Sequence, residues 1–448
     1  MDSKLPKNWV DTELGVISQV ITGNTPSKKH SEYYNGDIPW IKPGDIRTGI
    51  ELFNSVETLT EEGAKNARLL SKGAVMVTCI GNLGNVAIAG TQMATNQQIN
   101  SVIFNKYIDD KYGYYACNLL KPWLIENSTS TTISMVNKSV FSKAPFPLPP
   151  LAEQQRIVAK LDTLFGSLDA LKIRLNNIPQ LIKNFKQAVL TQAVTGKLTQ
   201  EWRVGKELEE WEETELINLI LQKPRNGYSP PGVNYITEVK SLSLSATTSG
   251  KFNASKVKYL DIEKPKNDSH LWLKKGDILI QRSNSLDYVG TSAIYDGEDD
   301  DFIYPDIMMK IQVNEKIDNS YMNYVLSSSK IRTYYKDNAT GTAGNMPKIN
   351  QVVVSNTPIC YPPKEEQTEI VKRVENLFSK ADAIEKQYKT LKEKIDRLPQ
   401  AILAKAFKGE LVAQLPTDGD AKDLLEEIKK LKESLVVKPK KKVVRNKK

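Results

Sequence analysis

The side chains that most often build catalytic centres are scarce in this sequence of 448 residues. It contains two histidines, His30 and His270, and three widely separated cysteines, Cys79, Cys117 and Cys360. A zinc site or a serine-protease-like triad needs several such residues close together, so neither is indicated. The odd number of cysteines argues against a disulfide framework and fits a reducing compartment. We therefore expect no catalytic residue and no metal ligand in this chain.

Common nucleotide-dependent and nuclease motifs are also missing. The sequence has no GxxxxGK[ST] phosphate loop, and Gly81–Gly90 (GNLGNVAIAG) does not meet the dinucleotide-binding pattern. It has no Asn/Asp-Pro-Pro-aromatic segment of an amino-methyltransferase. Pro305 and Asp306 could begin a nuclease motif, but no Asp/Glu-x-Lys follows at a suitable distance. These residues favour no class of enzyme.

The net charge of +9 is concentrated at the C-terminal end. Residues 438–448 (KPKKKVVRNKK) carry seven basic residues and no acid, which leaves +2 (9 − 7) for the rest. Such a tail is either a solvated end or an arm that contacts nucleic-acid phosphates. No window approaches the roughly 18 consecutive apolar residues of a membrane span, and no signal-peptide core is present. We expect a cytoplasmic protein that does not contact a membrane.

A long internal repeat organises the sequence. Residues 149–198 align with residues 362–411 without a gap at a constant offset of 213 (362 − 149), and 17 of the 50 aligned residues are identical. The regions before each repeat are related more weakly, as in Leu70–Val86 and Leu273–Val289. A repeat of this length indicates a duplicated pair of domains.

The repeat predicts four parts and a tail. Residues 1–148 and 204–361 mix short β-branched runs with turn-rich polar loops, which indicates a compact α+β domain in each case. Residues 149–203 and 362–437 have the apolar spacing of long helices, and residues 438–448 form the tail. The predicted fold class is therefore α+β, with two α+β domains separated by two long helical repeats.

Apolar residues in both helical repeats alternate at steps of three and four, which is the spacing of a coiled-coil seam. Pro179 and Pro399 are each predicted to end or kink a long helix, because proline cannot donate the helical hydrogen bond. The seam positions are Ile157, Leu161, Leu164, Leu168, Leu171 and Leu175 in the first repeat, and Ile370, Val374, Leu377, Ile384, Leu391 and Ile395 in the second.

We expect the two seams to bury each other as an antiparallel coiled coil with pseudo-twofold symmetry, since one chain carries both of them. The alternative is that each helix packs on the α+β domain that precedes it. A helix of about 28 residues spans roughly 42 Å. The two α+β domains would then lie at opposite ends of the helix pair.

Four segments of the helical repeats carry a family resemblance: PLPPLAEQQRIVAKLD (147–162), QAVLTQAVTGKL (187–198), PPKEEQTEIVKRVENLF (362–378) and ILAKAFKGEL (402–411). They resemble the specificity subunit of type I restriction–modification systems, most of all the enterobacterial type IA group. The α+β domains are similar to that family's target recognition domains in six shorter segments. These are TGNTPS (22–27), IPWIKPGDI (38–46), TNQQ (95–98), RNG (225–227), QRSN (281–284) and YPDI (304–307).

The resemblance implies a DNA-reading scaffold without catalytic activity of its own. Each target recognition domain would read one half of a bipartite duplex DNA target, and the helices would set the unspecified gap. A helix of 42 Å equals the length of about 12 base pairs of duplex DNA. Two methyltransferase subunits would dock on the helical core and methylate adenine with S-adenosylmethionine. Two motor–nuclease subunits would use ATP and Mg²⁺. All of these cofactors would be bound by the partner subunits.

The aligned loops Thr78–Asn82 and Gln281–Ser285 contain candidate base contacts. Arginine and asparagine suit bidentate contacts to guanine and adenine, so Arg282, Asn284 and Asn82 are candidates. The alternatives are a surface ion pair for Arg282 and ordinary turn roles for both asparagines. Candidate phosphate contacts are Thr22, Lys28, Lys29 and Lys348, and the family-like segments add Asn24, Gln97, Gln98, Arg225, Asn226 and Tyr304 as candidate DNA contacts.

Two other functions remain open from the sequence. One is a stand-alone two-headed DNA-binding regulator, which would need two recognition domains but no partner subunits. The other is an enzyme whose site has no recognisable motif. Purification from the host distinguishes the first from a specificity subunit, and methyl transfer by the chain alone would indicate the second.

Overall fold

The computed structural model describes residues 5–47, 49–129, 133–341 and 346–436. The chain divides into two compact units. The first contains Met1–Ile173 and Leu391–Lys448, and the second contains Arg174–Thr390. Each unit therefore combines one α+β domain with parts of both helical repeats. The basic tail, residues 438–448, lies outside the described residues.

The first α+β domain contains short strands, short helices and the start of a long helix. Its strands are β1 (Val10–Glu13), β2 (Ser18–Thr22), β3 (Tyr34–Ile41), β4 (Glu51–Leu52), β5 (Thr58–Leu59), β6 (Leu69–Leu70), β7 (Val75–Thr78), β8 (Val86–Ala89), β9 (Met93–Thr95), β10 (Ile99–Phe104) and β11 (Pro145–Leu148). Its helices are α1 (Leu14–Ile17), α2 (Glu61–Lys65), α3 (Asp110–Asn118), α4 (Lys121–Glu126), α5 (Lys138–Phe141) and α6 (Leu151–Asn176), with a 3-10 turn at Ser31–Tyr33.

A five-stranded sheet in the order β2-β10-β7-β8-β4 lies at the centre of this domain, beside a four-stranded sheet in the order β5-β3-β9-β6. Every residue of β7 and β8 is buried, because both faces of the larger sheet are covered. Val75 and Val77 face a core that includes residues of α3, and Met76 faces a second core on the opposite side. This alternation explains the unbroken apolar runs that predicted both strands.

The second α+β domain follows α7 (Ile178–Val194). Its strands are β12 (Glu212–Glu215), β13 (Arg225–Asn226), β14 (Gly232–Val233), β15 (Val239–Leu242), β16 (Val257–Leu260), β17 (Ile278–Gln281), β18 (Ser292–Ile294), β19 (Met308–Ile311) and β20 (Pro358–Tyr361). Its helices are α8 (Asn319–Ser327), α9 (Ser329–Asp337) and α10 (Gln351–Ser355), with 3-10 turns at Leu216–Leu219 and Leu244–Ala246.

The central sheet of the second domain has the order β13-β19-β17-β18, which matches β2-β10-β7-β8 in the first. Ile278 and Ile280 face one core, and Leu279 faces another, so the alternation is repeated as well. In both domains a two-stranded sheet, β1-β11 or β12-β20, joins the start of the domain to the strand before the next helix. The weak similarity between the two α+β regions therefore reflects a shared fold.

Two further helices complete the chain, α11 (Lys364–Ala406) and α12 (Ala421–Val436). Pro179 lies in the first turn of α7, and the helical repeat is interrupted at Asn177 as predicted. Pro399 lies inside α11, so of the two predicted effects, an end or a kink, the helix does not end there. Leu403 and Ala406, which follow it, are buried in the core of the first unit, and this burial offsets the missing hydrogen bond.

The ends of the predicted seam pack in two ways at once. Ile157 and Leu161 lie in the core of the first α+β domain together with Leu403 of α11, and Ile370 lies in the core of the second domain together with Leu190 of α7. Within each unit the start of one repeat therefore lies near the end of the other, as an antiparallel arrangement requires. The alternative, that each helix packs on its own preceding domain, also holds at these ends.

Burial along the seam is less continuous than the spacing predicts. Leu171, Ile384 and Leu391 are 45%, 51% and 46% exposed. Leu168 and Leu175, the seam residues on either side of Leu171, are nevertheless buried. The remaining positions are buried (Ile157, Leu161, Leu168, Leu175, Ile370, Val374, Ile395) or half-buried (Leu164, Leu377).

Candidate nucleic-acid interface

The loop after β17 is held by the segment 347–349, which precedes α10. The N–H of Asn284 donates to the carbonyl of Pro347 (3.3 Å), and the N–H of Ile349 donates to the carbonyl of Arg282 (2.9 Å). Lys348 forms an isolated β-bridge with Ser283 between these two bonds. Arg282, Asn284 and Lys348, three of the candidate DNA contacts, are thus brought together on adjacent segments.

The first domain has the same junction after β7. The N–H of Gly81 donates to the carbonyl of Ser134 (2.9 Å), and the N–H of Val136 donates to the carbonyl of Cys79 (2.8 Å). Ser134 and Val136 are 213 residues before Pro347 and Ile349, which is the offset of the helical repeats. The predicted alignment of the two loops is therefore correct at the level of individual hydrogen bonds.

The equivalent residues of the two loops differ in chemistry. Cys79 is 2% exposed, and burial raises the pKa of its thiol to about 11, so it is a core residue. Arg282 is half-buried, and its Nη1 lies 3.4 Å from the carbonyl oxygen of Asp306. It makes no ion pair with any described residue, so the surface ion pair considered for it is not seen. A common backbone junction therefore presents a guanidinium group in one domain only.

Thr22 and Asn24 lie at the end of β2, beside the turn from β9 to β10. Thr22 Oγ1 lies 2.5 Å from Asn100 Oδ1 and donates to it. Asn24 Nδ2 donates to the carbonyl of Asn66 (2.8 Å), and its Oδ1 accepts from the N–H of Arg68 (2.8 Å). Both polar groups of the Asn24 amide form hydrogen bonds within the domain, so this side chain fixes the loop.

Gln97 and Gln98 occupy the turn between β9 and β10. The exposed Gln97 accepts from Thr25 Oγ1 at its Oε1 (2.6 Å), and the half-buried Gln98 accepts from Asn96 Nδ2 at its Oε1 (2.8 Å). The amide N–H groups of Gln97 point away from this bond and can donate to another molecule. The three remaining candidates of this domain are exposed: Lys28, Lys29 and Asn82.

Tyr304 is not available to DNA, so its prediction as a contact is wrong. It is fully buried in a core of the second domain, and its hydroxyl donates to the carbonyl of Arg225 (3.1 Å). Burial raises the pKa of that hydroxyl, so it stays protonated and able to donate. The segment YPDI positions its neighbours instead, because the carbonyl of Asp306 faces Arg282.

Arg225 and Asn226 form β13 at the edge of the central sheet. Arg225 is exposed and lines a cavity of about 250 Å³ with Lys223, His270 and Lys310. Asn226 Oδ1 is buried and has no hydrogen-bond partner among the described residues, while its carbonyl faces His270 Nε2 at 3.3 Å. The lining is mixed in charge, because Asp268 also contributes to it and Lys310 pairs with Asp277 (3.3 Å).

Each long helix begins with a Glu-Gln pair whose structural role was not predicted from the sequence. Gln154 accepts from the N–H of Asp109 (3.0 Å) and donates to the carbonyl of Tyr107 (3.3 Å). Gln367 makes the same two bonds to Asp318 (2.7 Å) and Lys316 (3.0 Å) in the second unit. These glutamines lock each helix to its α+β domain. Their identity in both repeats was the signal that could have found them.

The preceding glutamates are also fully buried and join each helix to the segment after the other repeat. Glu153 accepts from Trp9 Nε1 (3.0 Å) and Gln414 Nε2 (3.1 Å). Glu366 accepts from Thr199 Oγ1 (2.6 Å) and pairs with Arg203. A buried carboxylate is tolerated only when it is paired or hydrogen-bonded in this way. The two units therefore contain closely similar helix–domain joints.

Two negative observations apply to the part of the chain that the structure describes. It contains no group of three or more His, Cys, Asp or Glu residues placed to hold a metal ion. None of its helices is both long and apolar enough to cross a membrane.

Comparison with known proteins places these features in a family. Residues 6–180 and 234–393 match the family described as type I restriction modification DNA specificity domain. The chain is 28% identical to the EcoKI specificity subunit of Escherichia coli strain K12, over 95% of this chain and 96% of that one. It is 30% identical to the EcoBI specificity subunit of Escherichia coli, over 92% of this chain and 84% of that one.

Solved structures agree with the fold. The HsdS subunit from Thermoanaerobacter tengcongensis superposes with a TM-score of 0.60 at 18% identity, covering 91% of this chain and 99% of that one. A chain from a study of complex assembly and conformational transition of the type I R-M system gives a TM-score of 0.65, also at 18% identity, with the same coverage.

Proposed function

This chain belongs to the family of type I restriction modification DNA specificity domains, and from that premise we propose that it reads a bipartite duplex DNA target and docks the subunits that act on it. One α+β domain reads each half of the target, and the helical repeats set the gap. The type I specificity subunit is itself a DNA-recognition component, so chemistry on the DNA falls to partners. Residues of this chain determine which DNA sequence the complex recognises.

The observation that carries the proposal is the pair of matching loop junctions. Both domains hold the loop after a central strand by the same hydrogen bonds, yet Cys79 in one corresponds to Arg282 in the other. Two different half-sites require a shared backbone frame with different side chains, and here one domain has a half-buried arginine where the other has a buried cysteine. Base contacts specify sequence, whereas a common backbone frame fixes where the reading side chains stand.

The two similar helix–domain joints support two similar docking surfaces. Gln154 and Gln367 fix each helix to its domain through equivalent backbone groups, while the buried Glu153 and Glu366 before them bond to different side chains. We propose that two copies of a methyltransferase subunit dock on the helical repeats and methylate adenine. Two motor–nuclease subunits then complete the restriction complex. S-adenosylmethionine, ATP and Mg²⁺ belong to those partners, and the complex acts on DNA in the cytoplasm.

Purification of the tagged chain from its host tests the proposal directly. We expect two large partner subunits at about two copies each, and a purified complex that methylates adenine only in a bipartite sequence. The methylated sites are found by sequencing DNA from a strain that lacks other methyltransferases and expresses the complex.

Three results would contradict this proposal. A solitary chain that binds a two-part site would favour the stand-alone regulator. Methyl transfer by the chain without partners would mean that it carries its own catalytic site. A methylated site with no unspecified gap would remove the basis for two separate reading domains.

A further inference from the structure

Gln281, the last residue of β17, is polar and fully buried. Its Nε2 lies 3.0 Å from each of three acceptors, the carbonyl of Leu244 and the hydroxyls of Thr247 and Thr248. Its Oε1 accepts from Asn284 Nδ2 at 2.8 Å. One side chain therefore ties the loop that carries Asn284 to the separate segment 244–248.

The orientation of both amides follows from backbone groups whose roles are fixed. The carbonyl of Leu244 can only accept, so the NH₂ group of Gln281 must face it and Oε1 must face Asn284. Asn284 then donates from Nδ2 to that oxygen. Independently, the N–H of Ser285 can only donate, and it does so to Asn284 Oδ1 at 2.7 Å. A flipped amide at either residue would place like groups against each other.

These hydrogen bonds determine which donor and which acceptor of the Asn284 side chain are left for another molecule. One N–H of Nδ2 and one lone pair of Oδ1 take part in no hydrogen bond to a described residue, and the side chain is only half-buried. The main chain is held too, because the N–H of Asn284 donates to the carbonyl of Pro347. Adenine presents N7 as an acceptor beside N6–H as a donor in the major groove, which is the complement of that pattern.

We propose that Gln281 is a positioning residue that fixes the Asn284 amide to read one adenine in the half-site of the second domain. The inference rests on the proposed DNA-reading function and names the base and the two residues. The first domain uses a different residue at the equivalent position. There Thr78 Oγ1 donates to the carbonyl of Asn82 (2.6 Å) and accepts from the N–H of Asn85 (2.9 Å), so it holds the loop backbone and orients no side chain amide.

The pair acts through pre-organisation. An exposed asparagine side chain loses rotational freedom when it binds a base, and it can present either amide atom first. Gln281 lowers both costs before DNA arrives, because its hydrogen bond holds one rotamer of Asn284 and acts together with the Ser285 N–H in fixing the amide orientation. Loss of Gln281 should therefore lower discrimination at one base pair, even though Gln281 itself lies too deep to touch DNA.

The test measures methylation by the purified complex on the native target and on every single-base variant of it. Asn284→Asp keeps the acceptor for Ser285 but replaces the Nδ2 group, and with it both the free donor and the donor to Gln281. We therefore expect loss of adenine preference by roughly 5- to 150-fold at one position. Gln281→Met keeps length and removes both hydrogen-bonding groups. We expect it to lower discrimination at that same position by about tenfold, with the other positions unchanged.

Two further variants separate positioning from structural support. Gln281→Thr introduces the residue that the first domain carries at this position, and its short side chain loses the hydrogen bond to Asn284. It should therefore lower discrimination at the same base pair even if Gln281→Met fails to fold. Ser292→Ala removes another buried hydroxyl of the same sheet, one that bonds to Asn323 Oδ1 (2.8 Å), and should leave every base preference unchanged.

Several results would overturn the inference. One is an equal loss of methylation on all base variants for Gln281→Met. Another is unchanged discrimination for Gln281→Met while Asn284→Asp loses its preference at one base. The third is a selective loss of preference at a position that is not adenine. These outcomes require a wild-type complex that methylates a bipartite site. If the wild-type complex has no such target, the proposed function fails first, and the two failures are thereby distinguished.

Discussion

At the scale of single residues, exposure and charge decide which candidates can specify a base. Arg282 is half-buried and directly follows β17, and among the described residues its guanidinium contacts only the carbonyl of Asp306. A strand end can direct this side chain toward a groove with little loss of entropy. Arginine is the usual bidentate partner of guanine O6 and N7.

We expect Arg282→Ala to weaken binding of the native target by about 1–3 kcal/mol and to relax specificity at one guanine of the second half-site. Binding of the complex to single-base variants of the target measures this. A uniform loss over all variants would identify Arg282 as a phosphate contact, and an unchanged affinity would return it to a surface role.

Lys348 provides the matched comparison on the adjacent segment. It is exposed, and its backbone is bridged to Ser283. If its ammonium group meets a phosphate, Lys348→Ala should weaken all sequences equally and lower the slope of affinity against salt by about one. A base-dependent loss for Lys348→Ala would contradict that assignment.

At the scale of elements, the helix–domain joints determine how firmly each reading domain is held. Arg156 of α6 donates to both carboxylate oxygens of Asp418 (2.7 and 2.6 Å) and to the carbonyl of Ala413 (3.1 Å). The Asp418 side chain is 2% exposed. The hydrogen bond from Arg156 lowers the pKa of Asp418, while burial acts in the opposite direction.

We expect Asp418→Asn to lower the stability of the first unit by about 1–3 kcal/mol at pH 7, the loss being moderated because Arg156 is partly solvated. The pKa of Asp418 is lower in the folded state than in the unfolded state. The carboxylate therefore stabilises the fold above the unfolded pKa of about 3.9, and this contribution is lost as pH falls through the folded value.

Urea unfolding of the full chain at several pH values measures both effects. Wild type and Asp418→Asn should differ at pH 7 and converge in acid. Asp169→Asn, which changes an exposed carboxylate on α6, serves as the control and should differ little from wild type at any pH. A difference for Asp418→Asn that does not depend on pH would mean that shape, not charge, matters at this joint.

The elements were largely predictable from the sequence, because their patterns are local. Apolar runs in β7, β8 and β17 and the three–four spacing of α6 and α11 predicted strands and helices that the structure contains. Pro399 does not end α11, because the turn that follows it is buried in the core of the first unit, which no local pattern shows. Tyr304 was misread because a motif says which residues recur but not which way a side chain faces.

Parts of the candidate site lay beyond sequence patterns for the same reason. The hydrogen bonds of Gln281 join residues 244–248 to residue 284, and no periodicity links such distant positions. The alignment of the two reading loops was predictable, since duplication preserved the register of the junction. Features that both copies share could be inferred from one sequence. Contacts that differ between the two domains required the structure.

At the scale of the whole molecule, the internal repeat provides two α+β domains and the helical repeats that are proposed to set the gap between their half-sites. The first repeat is interrupted at Asn177, between α6 and α7, while α11 of the second repeat is continuous over 43 residues. The division between the two units falls beside that interruption, after Ile173. If the helical repeats set the gap between half-sites, their length is the variable to change.

We expect four residues inserted after Asn176 to change the gap by about two base pairs or to abolish methylation, because four helical residues add about 6 Å. Each half-site should keep its own sequence, since neither reading loop is altered. The measurement is the methylation pattern of DNA from cells that express the altered complex.

Four residues inserted after Gly205, in an exposed turn between α7 and the second α+β domain, serve as the control and should leave the gap unchanged. Full activity at the original gap after insertion at Asn176 would show that the helices do not act as the spacer.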